Sequence, residues 1–277
     1  GVEVSTVVAS ATLGSMARDK EPWLRHHRTT LIQCGIAAGI TGLFGSVLAG
    51  FFFCHEVISN KWNPTRLSAV ALSLGTAALL LYLAGDAPLV PLQLHGWHTY
   101  ALPWFVVLGI LAGAQSVYLT RCVLFFKKVY GKVGHDGPRI VLSAAVLGLL
   151  LWSVPQLYGE GYDALAENLH LANQLSLSPT LLVLLCALLV FKPIATSATL
   201  AAGGDGGVFA PSLFIGAFLG LLLALVLNQY LNAPVIPVNF MILGMAAMLS
   251  ASIHAPLTAV FLGCAIVGNY DLRSEER

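Results

Sequence analysis

The chain has 277 residues, of which 57% are hydrophobic and only 10% are charged, and its formal net charge is +1. A soluble domain carries about 25% charged residues, so this composition and a mean hydropathy of +0.81 indicate an integral membrane protein. Long apolar runs without alternation favour membrane helices over a barrel. The near-neutral charge, without a basic stripe and interleaved aromatics, gives no case for nucleic acid binding.

The first part of the chain predicts short helices. Residues 5–17 predict an apolar helix that is too short to cross a bilayer, which needs ~20 residues. A charged loop follows between Arg18 and Arg28. Residues 29–59 are apolar and rich in glycine and alanine, and a break is predicted near Gly45-Ser46. We interpret this stretch as a helix pair that enters the bilayer and returns.

The later apolar segments predict both spanning and shorter helices. The predicted helices cover residues 67–84, 101–126, 140–157, 177–198, 208–229, 239–250 and 252–267. The segment 177–198 is expected to be interrupted at Lys192-Pro193. Short or broken segments of this kind are typical of re-entrant helices around a buried site. The sequence therefore predicts an all-α, polytopic membrane protein of tilted and re-entrant helices.

A glycine run opens directly into the apolar helix 208–229. It reads Gly203-Gly204-Asp205-Gly206-Gly207 and continues as Val208-Phe209-Ala210-Pro211. Glycines let the backbone approach a ligand closely. The helix that follows directs unpaired N–H groups and the positive end of its dipole at that point, which suits an anion. Apolar flanks place this helix start at membrane depth.

The beginning of the chain resembles this glycine-led helix start. Residues 1–14 match residues 207–220 without a gap, and Gly35–Ala38 is echoed by Gly244–Ala247. Related halves of this kind indicate a transporter with inverted repeats. We expect one transmembrane domain over 1–277, with 1–84 ending the first repeat and adding one helix, and 101–277 forming an incomplete second repeat. The absence of an initiator Met leads us to expect an excerpt of a longer protein.

Glu3 is the strongest candidate for a functional residue. A carboxylate in an apolar segment by default marks an ion or proton path. The helix dipole favours its charged form, whereas burial favours its protonated form, so Glu3 could occupy an anion site when charged and leave it when protonated. The alternative is a carboxylate that simply caps a helix facing water.

Four other ionisable residues have two interpretations each. Glu56 is interpreted as a structural carboxylate rather than a proton relay, and Lys192 either as a buried cation or as a side chain that reaches the interface. Asp205 is expected to point away from the site and cap the loop. His254 is expected to be a packed residue at a helix start rather than a proton carrier.

Three motifs resemble those of the CLC chloride channels and chloride/proton antiporters. Gly207–Pro211 resembles the family's G-x-F-x-P motif, and Ala251–Thr258, with Asn269-Tyr270 beyond it, resembles its A-S-x-x-A-P-L-T segment. Gly35–Gly39 through Leu48–Gly50 is similar to its G-x-A-A-G…L-A-G helix pair. The resemblance covers nearly the whole chain.

The resemblance implies chloride transport by a homodimer with a pore in each subunit. We expect a multi-pass protein of the cell (inner) membrane. The sequence has no Ser/His/Asp, metal-binding or paired-carboxylate arrangement, so we expect no enzymatic site, no metal and no cofactor. Glu3 takes the position of the gating glutamate. The anion-binding residues implied by the two helix starts are Gly207, Val208, Phe209, Ala210, Val2 and Val4.

The departures from the family pattern leave several functions open. The usual gate motif is G-[K/R]-E-G-P, whereas this chain reads Gly1-Val2-Glu3-Val4-Ser5, and the inner proton-handling glutamate of antiporters falls at Val57. We therefore expect passage of chloride or another small anion that is channel-like or weakly proton-coupled. The alternatives are a chloride/proton or fluoride/proton antiporter and a non-conducting subunit.

Overall fold

The computed structural model describes residues 2–20, 27–58, 63–85 and 99–268, which are helical throughout with short connections and contain no β-strand. The α-helices in these ranges are α1 (Val2–Lys20), α2 (Arg28–Phe44), α3 (Val47–Phe53), α4 (Pro64–Ala84), α5 (Leu102–Tyr130), α6 (Asp136–Ser153), α7 (Tyr162–Leu171), α8 (Pro179–Ala201), α9 (Phe209–Tyr230), α10 (Pro237–Ile253) and α11 (Pro256–Val267). A π-helical turn, Cys54–Ile58, continues α3.

Five of the described helices, α4, α5, α6, α8 and α9, are long and apolar enough to cross a membrane. The apolar segment Val47–Ile58 and helices α10 and α11 are shorter. This mixture of long and short apolar helices confirms the predicted polytopic, all-α architecture.

Local sequence explains several of the helix ends. Gly45 has φ 65° and ends α2 in the left-handed conformation, and the Ser46 hydroxyl accepts a hydrogen bond of 3.2 Å from the Ala49 N–H at the start of α3. The break predicted at Gly45-Ser46 is thereby confirmed. Ser178 caps α8 in the same way, with Pro179 as the first helical residue.

Two predicted boundaries are wrong. The first helix runs from Val2 to Lys20 rather than over 5–17, so Arg18 belongs to the helix and not to a loop. Residues 21–26 of the predicted charged loop lie outside the described residues, and Arg28 belongs to α2 rather than to a loop. The segment 177–198 is not interrupted, because α8 continues through Pro193 to Ala201.

The helices group into two compact units. One comprises the described parts of residues 2–93 and 253–271, where α1 packs on α2, α2 on α4, and α3 on α11. The other comprises the described part of residues 94–252, where α8 packs on α5, α6 and α9. In the most apolar stretch of α9, 83% of the residues are buried, against 6% in α6. The glycine-led helix is therefore a core element, whereas α6 has the exposed apolar surface of a lipid-facing helix.

Matching glycine contacts occur in both units, between α1 and α2 and between α9 and α10. A methyl group on Gly14 would overlap the Leu31 carbonyl oxygen, and one on Gly220 would overlap that of Phe240. A second pair of contacts follows the same register: Gly35 lies against the Ser10 carbonyl group, and Gly244 against that of Gly216. Small residues at such positions let helix backbones approach closely in lipid. The two helix pairs thus share a packing scheme as well as a sequence pattern.

Candidate functional site

The start of α9 is formed by a loop that requires glycine. Gly203 has φ 92° and Gly206 has φ 150°, both in the region that side chains disfavour. Val208 is the N-cap residue, and its apolar side chain offers no acceptor to the first turn. Phe209 and Ala210 are buried behind it. The positive end of the α9 dipole is therefore presented without a side-chain cap from Val208.

Ser212 and Pro211 determine which hydrogen-bond donors remain available in the first turn of α9. The Ser212 N–H donates to the Val208 carbonyl oxygen at 3.0 Å, and the Ser212 hydroxyl donates to the same oxygen at 2.6 Å. Pro211 has no N–H, so it contributes no donor to the helix start. The donor groups of this turn are consequently the backbone N–H groups that precede Pro211.

A cavity of about 350 Å³ lies beside this helix start. Gly207 and Ala210, two of the predicted anion-binding residues, are among the residues that line it. The charged residues among those that line it are Lys192, Glu160 and Asp205. That Asp205 points away from the anion site and caps the loop stays a prediction.

Lys192 is a buried cation with fixed partners. Its residue is 3% exposed, and its Nζ donates to the carbonyl oxygens of Leu157 at 3.1 Å and Gly159 at 3.0 Å. Nζ also lies 4.5 Å from the centroid of the Phe214 ring on α9, within the range of a cation–π interaction. The interpretation of Lys192 as a side chain that reaches the interface is wrong, since the ammonium group is held inside the unit.

The start of α1 carries the other predicted site residues. Glu3 lies in the first turn of the helix and is 3% exposed, so the interpretation of a cap that faces water is wrong. Val4 is half-buried. Val2 begins the helix, but its side chain and Gly1 lie outside the described residues. Glu3 and Val208 belong to different units, and each helix start is described by itself.

Glu56 caps α11 with both carboxylate oxygens. Oε1 accepts from the Leu257 N–H at 3.0 Å, and Oε2 accepts from the Thr258 N–H at 2.8 Å and from the Thr258 hydroxyl at 2.7 Å. A carboxylate at a helix N-terminus is stabilised by charge-assisted hydrogen bonds and by the dipole. The contacts support the structural interpretation of Glu56.

Replacing Glu56 with glutamine is expected to destabilise the protein by about 1–2 kcal/mol, because a neutral amide cannot accept from all three donors. Thermal unfolding in detergent measures this loss. The Glu56→Asp variant is the matched control for charge, since it keeps the carboxylate but shortens its reach by one methylene group. Unchanged unfolding of Glu56→Gln would show that the cap contributes nothing to stability.

The remaining candidates from the sequence are His254 and the pair Asn269-Tyr270. His254 has φ 55° and is exposed, so the prediction that it is packed at a helix start is wrong. Asn269 and Tyr270, which follow the Ala251–Thr258 motif, lie outside the described residues. Among the described residues, no cluster of three His, Cys, Asp or Glu side chains could hold a metal ion.

Sequence reasoning missed Gln115 and Tyr118 on α5, which donate to carbonyl groups of α8. A signal was present, because a proline inside a helix leaves a carbonyl group that needs another donor. The proline therefore predicts that a donor is required, but it does not predict that Gln115 is that donor.

Comparisons with known sequences place the chain among anion transport proteins. It matches the family of voltage gated chloride channels over residues 1–273. It is 30% identical over 269 residues to a Ralstonia nicotianae protein described as ClcB-like, covering 92% of this chain and 59% of that protein. It is also 30% identical over 248 residues to the voltage-gated ClC-type chloride channel ClcB of Escherichia coli O81, covering 87% and 57%. The chain thus spans about three fifths of the length of these curated relatives.

Solved structures share the fold. A slow cyanobacterial Cl⁻/H⁺ antiporter has a TM-score of 0.76 at 23% identity, covering 98% of this chain and 64% of that one. A CLC-type fluoride/proton antiporter has a TM-score of 0.75 at 22% identity, covering 95% and 64%. At these identities the likeness shows the fold alone, and the fold class predicted from the sequence is confirmed.

Proposed function

The chain belongs to the voltage-gated chloride channel family, and from this premise we propose that it forms part of a pathway for chloride or a similar small anion. The observation that carries the proposal is the start of α9. A glycine loop there leads into a buried first turn, beside a cavity whose wall includes a buried lysine. A buried helix start of this kind can replace part of the hydration of an anion.

The backbone N–H groups of Val208 and Phe209 are proposed to bind the anion. Peptide dipoles supply positive potential without a full counter-charge at the ion, so an anion can bind and still leave. Gly207 and Ala210 allow close approach of the backbone on either side. The ammonium group of Lys192 adds positive charge nearby but is held by two carbonyl oxygens. We therefore assign it to the wall of the pathway rather than to direct binding.

Glu3 is proposed to act as a protonatable gate at the start of α1. When charged, its carboxylate occupies the anion position at its own helix terminus, and when protonated it leaves that position. Its burial supports this role, because an exposed cap would have no anion to displace. Val2 and Val4 flank it as the remaining members of the proposed external site.

Channel-like or weakly proton-coupled transport is the form of activity that we propose. The position of the inner proton-handling glutamate of antiporters is Val57, which cannot carry a proton, and the neighbouring Glu56 is engaged as a helix cap. The E. coli relative is named a channel, whereas the similar structures are those of antiporters. We also propose a homodimer in the inner membrane, with one pathway in each subunit.

The test is anion flux from liposomes that contain the full-length protein. We expect efflux of chloride that does not drive uphill proton movement, and anomalous density for bromide at the Val208 and Phe209 amides in bromide-soaked crystals. Proton uptake driven by a chloride gradient would favour the antiporter, and strong preference for fluoride in competition would favour a fluoride exporter. A folded protein without flux of any halide would identify a non-conducting subunit and contradict the proposal.

A further inference from the structure

Helix α8 is continuous although it contains a proline. Pro193 has no N–H, so the carbonyl group of Leu189, four residues earlier, lacks its donor within the helix. The side-chain amide of Gln115 on α5 supplies one: its Nε2 lies 2.7 Å from the Leu189 oxygen. At membrane depth water is not available to satisfy this carbonyl, so the donor must come from the protein.

Tyr118, on the next turn of α5, makes a second contact with α8. Its hydroxyl group donates to the carbonyl oxygen of Val190 at 3.1 Å. Gln115 and Tyr118 are three residues apart and therefore project from one face of α5. Two consecutive carbonyl groups before Pro193 are thus held by two side chains of one neighbouring helix.

The part of α8 that follows Pro193 has different partners. The Ser197 hydroxyl donates to the Pro193 carbonyl oxygen at 2.6 Å, and the Ser143 hydroxyl on α6 donates to that of Ala198 at 2.8 Å. Helix α8 is therefore held by α5 before the proline and by α6 after it. Pro193 lies between the part of α8 that α5 holds and the part that α6 holds.

Lys192 lies at that point. It directly precedes Pro193, its ammonium group is fixed to Leu157 and Gly159, and its residue lines the cavity beside α9. The α8 segment after Pro193 leads, eight residues later, into the glycine loop that begins α9. Any change in the direction of α8 at Pro193 would move both the cation and the loop.

We propose that Gln115 and Tyr118 are positioning residues for anion transport. Gln115 satisfies the Leu189 carbonyl group that Pro193 leaves without a donor, and Tyr118 holds the next carbonyl group, that of Val190. Together they fix the course of α8 and so place Lys192 and the glycine loop beside the anion site. This role rests on the proposed function of the α9 start. It concerns residues that carry no charge and lie outside the cavity wall.

The test is a double-mutant cycle between Gln115 and Pro193 in the full-length protein. Gln115→Leu removes the donor at similar volume, and Pro193→Ala restores a backbone N–H that can bond Leu189 directly. We expect Gln115→Leu to lower the chloride efflux rate by roughly tenfold, because the part-buried Leu189 acceptor is left unsatisfied. In the Pro193→Ala background the same change should lower it by less than about twofold.

A readout of selectivity separates positioning from general stability. Gln115→Leu and the milder Tyr118→Phe should both shift the bromide-to-chloride flux ratio. Neither should shift it further in a Lys192→Met background, where the cation has already been removed. Tyr118→Phe loses only a hydroxyl group, so it keeps the test decisive if Gln115→Leu does not fold.

The possible failures are distinguishable. An inactive wild-type protein contradicts the proposed function and this role together. An active wild type with unchanged efflux and selectivity in Gln115→Leu and Tyr118→Phe overturns the positioning role alone. Efflux lost equally in both Pro193 backgrounds, without a change in selectivity, would also overturn it, because the effect would then not act through the carbonyl group of Leu189.

Discussion

Replacing Gly220 with alanine is expected to abolish the native packing of α9 against α10. The added methyl group would overlap the carbonyl group of Phe240, which belongs to the backbone of α10 and cannot rotate away as a flexible side chain could. Overpacking of a core costs about 1–3 kcal/mol. We expect this substitution to exceed the upper end, because two rigid helices must separate.

The measurement is thermal unfolding and size-exclusion behaviour of the Gly220→Ala protein in detergent. Gly113→Ala in α5 is the matched control, since a methyl group there meets nothing within 4 Å. Alanine at that position should instead favour the helix by up to about 1 kcal/mol. Native-like unfolding of Gly220→Ala would show that α9 and α10 do not approach as closely as described.

The same reasoning applies to Gly14→Ala in the other unit, where the methyl group would meet the carbonyl group of Leu31. Equal sensitivity at Gly14 and Gly220 is the outcome that the shared packing scheme requires. If alanine is tolerated at only one of these two glycines, the two helix pairs do not share one packing scheme.

Glu3→Gln is expected to make anion flux largely independent of pH. Glutamine resembles the protonated carboxyl group in size and cannot become charged, so the proposed gate would remain in its open state. In the wild-type protein, flux should rise as the pH falls, because protonation removes the carboxylate from the anion position. The measurement is chloride efflux from liposomes over a range of external pH.

Glu56→Gln is the matched control for this experiment. It makes the same chemical change at a carboxylate that caps α11, so it should lower stability while the pH profile keeps its shape. Unchanged pH dependence in Glu3→Gln would remove Glu3 from the gating role. Loss of pH dependence in both variants would indicate a general effect of carboxylate removal.

Features that depend on neighbouring residues in the sequence could be predicted. The break between α2 and α3 follows from a glycine in the left-handed conformation and a serine cap directly after it. The start of α9 follows from the glycine run and the apolar stretch behind it. In both cases the residues that determine the structure lie within one turn of the feature.

Features that depend on distant partners could not be predicted. Pro193 alone predicts a break, yet α8 continues, and Gln115, which lies 74 residues before Leu189, supplies the missing donor. Glu56 shows no sequence signal for the helix that it caps, which begins 200 residues later. The sequence alone does not show whether Lys192 is buried or reaches the interface. Its hydrogen bonds to the carbonyl groups of Leu157 and Gly159 show that it is buried.

The pairing of Glu56 with α11 has a consequence for how the protein is made. Residues 94–252 separate the two parts of that unit, so α3 is synthesised long before its partner helix exists. At ~5–20 residues per second, the ribosome needs on the order of ten to thirty seconds to supply the intervening segment. During that interval the Cys54–Ile58 turn that carries Glu56 lacks its partner helix. Biogenesis of this unit is therefore completed only after residues 94–252 have been synthesised and α11 has been inserted.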